Sequence, residues 1–201
     1  MANRSYLYSS QVVPSPETKL GATGLNGISE WNYDIPVTFK ILLSSNPRKC
    51  RSSIWEVPDE IAIAGDYDPG VERLLKFLDR ISIPEVTPLK EEARSFLTDS
   101  ANKGHYFVLE CGELFEMEDE PLSEQNESLL EEIQNIDRVM DDAIAKLPKS
   151  APTPPKSGGF FSRLLGKKPP STEKQATEDT LCSLGLGHWS NILYYDLRKK
   201  D

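Results

Sequence analysis

The chain has 201 residues, enough for one domain with an appendage, and its 38% apolar content allows a real core. Asp and Glu number 32 against 23 Lys and Arg, a formal charge of −9 that repels phosphate backbones, disfavours nucleic acid and suits a basic protein partner. No apolar run reaches the ~18 residues of a membrane-spanning helix, no apolar leader opens the chain, and Cys50, Cys111 and Cys182 are spaced as reduced thiols, so a cytoplasmic protein is expected.

In chain order, RSYLYS (4–9) alternates as a first β-strand should, and a turn-rich loop carrying Pro14 and Pro16 runs to Gly27. Pro36 then opens the apolar run of Val37, Phe39, Ile41, Leu42 and Leu43, which fits a short buried helix; a strand is the competing reading, because the run is too short for periodicity to decide. IAIA (61–64) reads as a strand. In DPGVERLLKFLDRI, Asp68 is placed to cap, Pro69 suits the first turn, and Val71, Leu74, Leu75, Leu78 and Ile81 form one stripe. The next helix repeats that grammar, with Thr87 as cap, Pro88 behind it, and a stripe of Leu89, Ala93, Phe96 and Leu97.

HYFVLECGELFEME predicts a β-hairpin, 106–109 against 113–117, turning at Cys111-Gly112. A long helix is expected over 123–147, with Leu129, Leu130, Ile133, Ile136, Met140, Ile144 and Leu147 on its core face. Six of the fifteen prolines fall between Pro148 and Pro170, so 148–180 reads as a flexible excursion inside a single domain made of 1–147 and 181–201. GHWSNILYYDL then carries a strand signal strong enough to return the chain to the sheet. The expected class is α+β, an antiparallel or mixed sheet packed by three to four helices.

No motif for chemistry emerges. The two histidines, His105 and His188, stand alone, where a metal site needs several convergent ligands. A Cys182–His188 thiol–imidazole pair lacks an orienting third group. GATGLNG has neither the strand–turn–helix context nor the Lys-Ser/Thr of a phosphate loop. No catalytic residue, metal or cofactor is expected, and the chain reads as a non-enzymatic binding module.

Charge is distributed unevenly. Between Glu110 and Asp142 there are thirteen acids against one base, Arg138, while 149–174 carries six bases against Glu173. A solvated helix face that serves solubility is one reading of such an arc, and electrostatic steering toward a basic partner is the other. Its sharpest part is EMEDEPLSE, where Glu116, Glu118, Asp119, Glu120 and Glu124 crowd a loop before a helix and would steer a basic partner. A second candidate patch interleaves aromatics and acids: Trp31, Tyr33 and Asp34, together with Asp66, Tyr67 and Asp68. Trp55 reads instead as a core aromatic. A candidate docking segment lies in KSGGFFSRLLGKK, through Phe160, Phe161, Arg163, Leu164 and Leu165. As a membrane contact that segment would hold only weakly.

The opening MANRSYLY, the segment WNYDIPVTFKILLSSNP and the closing LGLGHWSNILYYDL resemble an uncharacterised family of small bacterial cytoplasmic proteins, whose members look like products encoded beside secreted or polymorphic toxins. The resemblance implies an immunity role, tight binding of a cognate toxin, and brings no functional residues with it. The alternative is an adaptor that recruits a partner or a membrane surface through FFSRLLGKK.

Overall fold

A computed structural model of the chain describes residues 2–18, 24–147 and 184–198. Five strands build one sheet in the order β2-β1-β5-β4-β3, every neighbouring pair antiparallel: β1 (Arg4–Ser10), β2 (Asn26–Asn32), β3 (Arg48–Cys50), β4 (Ala62–Asp66) and β5 (Tyr106–Glu110). The class is therefore α+β. Side chains alternate across the sheet as the period of two requires. Leu7, Ile63, Phe107 and Leu109 enter a large core beneath the helices, while Tyr6, Tyr8, Ala62, Ala64 and Val108 face the opposite side.

All the helical apolar stripes converge on the first of these faces. α1 (Val37–Leu43) begins behind Pro36 and buries Phe39, Ile41, Leu42 and Leu43. The stripe of α2 (Tyr67–Asp79) is Val71, Leu74, Phe77 and Leu78. Gly70 lets these two helices close up, since a Cβ there would stand 2.0 Å from the Leu42 carbonyl oxygen. A 3-10 turn (Pro84–Val86) leads into α3 (Thr87–Thr98), which buries Ala93 and Leu97. Neither expected cap is used. Asp68 and Thr87 lie within the first turns, Asp66 and Val86 hold the cap positions, and no side-chain cap bond forms.

Three other expectations are corrected. The hairpin after Tyr106 does not form, because β5 already has β1 on one side and β4 on the other. With no edge left to pair, Gly112–Phe115 coils into the short helix α4, whose Glu113 accepts hydrogen bonds from the Arg4 amide (2.8 Å) and the Tyr6 hydroxyl (3.0 Å). The long helix is two, α5 (Leu122–Gln134) and α6 (Ile136–Lys146). Asn135 separates them; its amide side chain donates to the Glu131 carbonyl at 2.8 Å, satisfying an end that a further helical turn would otherwise serve. The apolar stripe nevertheless continues through the break into one core.

The C-terminal segment returns to the sheet without forming a strand. It makes a single bridge, Ser29 to Trp189, supported by the Ser190 amide donating to the Ile28 carbonyl (3.0 Å). Leu184 and Leu186 belong to the helix-side core, whereas Leu193, Tyr195 and Leu197 pack on the other face. The segment thus crosses the β2 edge instead of running along it, which is why its alternating aromatics do not pair in register. Among the described residues no helix is long and apolar enough to cross a membrane.

Candidate functional site

Register explains how two of the sequence candidates meet. β1 begins at Arg4 opposite Asn32 and reaches Glu110 through Tyr6, so the exit of β2 and the exit of β5 lie at one end of the sheet. The chain leaving β2 turns at Tyr33, whose φ of 61° is left-handed and uncommon for a bulky residue. Two bonds to the start of β1 hold the turn: the Tyr33 amide donates to the Asn3 carbonyl (2.8 Å), and the Ser5 hydroxyl donates to the Asp34 carbonyl (2.7 Å). The chain leaving β5 forms α4 and the acidic junction. Gln125 of α5 pins that junction by donating to the Phe115 and Glu120 carbonyls at 2.9 and 2.7 Å.

Between these turns lies an open groove of about 340 Å³. One side is Tyr33, Asp34 and Ile35; the other is Leu114, Phe115, Met117 and Glu118; α5 and Lys40 of α1 complete it. Lys40 is neutralised there by a bidentate bond to Glu132, at 2.8 and 2.9 Å. Tyr33 (62% exposed) and Met117 (52%) are two of the few large apolar side chains left in solvent. An aromatic and a flexible thioether at the rim, with acids beside them, make a surface for an apolar residue next to a cation.

The acidic arc separates into parts with different work. Glu127 and Glu132 pair with Lys49 and Lys40, and Asp137, Asp141 and Asp142 with Arg73, Arg80 and Arg138. These pairs tie α5 and α6 to α1, α2 and β3, or lie within α6 itself. Glu116, Glu118, Asp119, Glu120 and Glu124 are exposed, and among the described residues no cation lies within 4 Å of them. Of these five, Glu118 lines the groove, and the others lie in the same junction or the first turn of α5.

The second sequence patch is split by the fold. Tyr33 and Asp34 line the groove, and Trp31 is half-buried against the helix-side core, edge-on to His188 at 4.6 Å. Asp66 pairs with Tyr106 across β4 and β5, which places it at the opposite end of the sheet. It is bound to Arg48 at 3.3 Å, and Asp68 to Lys103 at 2.8 Å. Tyr67 is withdrawn from any surface role: it is 2% exposed, stacks on Phe107 at 4.2 Å and donates its hydroxyl to the Leu97 carbonyl. Phe160, Phe161, Arg163, Leu164 and Leu165 lie outside the described residues, as does Cys182.

His105 is exposed and rests 3.2 Å from the Gln11 carbonyl, while His188 is the exposed partner of Trp31. Among the described residues no three His, Cys, Asp or Glu side chains gather as metal ligands would.

One functional candidate escaped the sequence reading altogether. Glu110, counted there among the solvated acids, is fully buried on the face opposite the helices. It follows Tyr106 and Val108 on one face of β5, so the alternation itself signals that it enters the sheet's second core. Its carboxylate accepts bonds from the Ser52 hydroxyl (2.7 Å) and the Ser53 amide (2.6 Å), and burial raises its pKa to about 7.

Comparison with curated proteins and with solved structures finds no match. A family does match, over residues 11–150, a span that includes β2, all six helices named above and both walls of the groove. The chain belongs to the family described as a domain of unknown function, DUF7822.

Proposed function

We propose that this chain is a non-enzymatic binding module that receives a basic protein in the groove between the Tyr33 turn and the acidic junction. The observation that carries this reading is the meeting of two exposed anchors, Tyr33 and Met117, with acids that have no described cation to neutralise them. Aromatic and methionine side chains contribute the contact area that interfaces depend on. The surrounding carboxylates raise the encounter rate and disfavour acidic competitors. The resemblance to toxin-associated proteins supports the narrower form, in which the module is an immunity protein and the partner a toxin domain.

The test compares the full chain with two variants in affinity purification from the host. One variant carries Y33A and M117A; the other neutralises Asp66 and Asp68 at the far end of the sheet. A partner retained by the wild type and the far-end variant but lost by the groove variant supports the reading. Equal retention by all three overturns it. With that partner in hand, changing Glu116, Glu118, Asp119 and Glu120 to Gln, Gln, Asn and Gln should slow association about tenfold at low salt and flatten its salt dependence. For the immunity form, co-expression with the partner should relieve growth arrest with wild type and fail with the groove variant.

A further inference from the structure

The buried Glu110 carboxylate takes no part in the groove, yet it sits under a loop that it holds by both oxygens. Ser52 donates its hydroxyl to one oxygen and, through the same Oγ, accepts the Ile54 and Trp55 amides at 3.0 and 2.9 Å. Ser53 donates its amide to the other. The loop is therefore organised around the carboxyl group, with Trp55 at its end. The indole lies on Gly112, where a Cβ would stand 2.9 Å from the ring, and meets Tyr195 edge-on at 6.0 Å.

The groups around Glu110 offer its charge little compensation. From β1 come Tyr6, across from it in register, and Tyr8; from β3 comes Cys50; Cys111 follows in its own chain; and Tyr195 of the C-terminal segment lies behind Tyr6, edge-on at 5.2 Å. Burial pushes the ionisation of each of these upward, so all are neutral near pH 7. Its β4 neighbour in register is Ala62, and the loop residues that bind it are two serines. Glu60 and Arg48 act on Cys50, and Lys40 on Cys111, but among the described residues no cation lies within 4 Å of the Glu110 carboxylate. The two bonds from Ser52 and Ser53 favour the ionised carboxylate, but complete burial outweighs them, because two neutral donors compensate a buried charge only in part.

We propose that the 52–55 loop is a pH-sensitive cover, closed over Glu110 while the carboxyl holds its proton and loosened when it ionises. The direction follows from linkage: opening admits water, water favours the ionised form, and so ionisation must favour opening. The proton leaves to solvent. Because Trp55 rests on Gly112, the first residue of α4, the cover also bears on the helix that supplies Leu114 and Phe115 to the groove wall.

The test is amide exchange and carboxyl NMR on the full chain. Exchange of the 53–55 amides, divided by the intrinsic base-catalysed rate, should rise about tenfold between about pH 6 and pH 8 in the wild type. It should stay flat in Glu110→Gln, which cannot ionise. The Glu110 carboxyl carbon should titrate near neutrality. A flat wild-type profile, an equal rise in Glu110→Gln, or a carboxyl midpoint below about 5 would each overturn the proposal. The wild-type carboxyl titration keeps the test decisive if Glu110→Gln fails to fold. Partner binding does not enter the readout, so loss of the groove reading leaves this result untouched.

Discussion

The two faces of the sheet are covered in different ways. Under the helices, Leu7, Ile63, Phe107 and Leu109 meet side chains from every helix, and most of the largest buried groups there are hydrocarbon. On the opposite face, among the described residues, no helix puts a side chain into the apolar cluster, and α4 only borders it, through Gly112 under Trp55 and Glu113 on the Tyr6 hydroxyl. A loop over 51–58 and residues 193–197 lie across Tyr6, Tyr8, Ala62, Ala64 and Val108, and polar groups are buried with them. Tyr8 donates to the Tyr195 carbonyl at 2.9 Å, and Glu110 takes its two bonds from the loop. Helices bring their own satisfied backbones to a sheet, whereas irregular cover must bond its amides and carbonyls to whatever it lies on. The thin face is therefore held by specific polar contacts, and the thick face by volume.

Truncating one residue on each side tests this directly. Phe107→Ala removes a fully buried ring stacked on Tyr67 between the strands and the helices, and should cost about 4 kcal/mol in chemical denaturation. Leu193→Ala, from the crossing segment, should cost about 2 kcal/mol, because a cover without regular backbone pairing collapses more easily around a lost side chain. Equal losses would show the two covers to be equally rigid.

The same contrast governs what the sequence made legible. Helices over the thick face were readable because their stripes repeat locally; α2 shows Val71, Leu74 and Leu78 within two turns. β2 was missed because NGISEWN mixes glycine, serine and acid, and its burial comes from pairing with β1 across nearly twenty residues. The failed hairpin has a similar cause. Nothing in HYFVLECGELFEME reveals that β5 lies between two other strands. Both halves of the candidate site stood out by composition, Tyr33 with Asp34 and the acids after Glu113, but their meeting depends on strand register. Asp66, Tyr67 and Asp68 have the same composition and lie at the wrong end of the sheet or inside it.

pH sharpens the comparison further, because among the described residues only the thin face buries a carboxyl group with a raised pKa. The unfolded Glu110 carboxyl ionises near its ordinary value of 4.5 and the folded one near 7. Its contribution is fully present below about pH 4.5, where both states are protonated, and is lost as pH rises through about 7. The loss should approach about 3 kcal/mol by pH 8, after subtraction of the Glu110→Gln profile measured alongside. A wild-type profile that parallels Glu110→Gln across this window would show that water already reaches the carboxylate beneath the loop.

The smallest expected effect concerns the turn of the crossing segment around the β2 edge. Trp189 bridges to Ser29 and stacks near Phe96 at 6.2 Å, yet its indole Nε1 is buried and has no hydrogen-bond partner among the described residues. Such a group costs about 1–3 kcal/mol in desolvation, while exchanging the indole for a phenyl ring gives up some packing. The two terms oppose each other, so Trp189→Phe should change stability by less than about 1 kcal/mol. That near-cancellation separates this position from Phe107, where the side chain carries no polar group and truncation is pure loss. A loss above about 2 kcal/mol in Trp189→Phe would mean that the indole is held by its shape, and that the crossing is packed as tightly as the core beneath the helices.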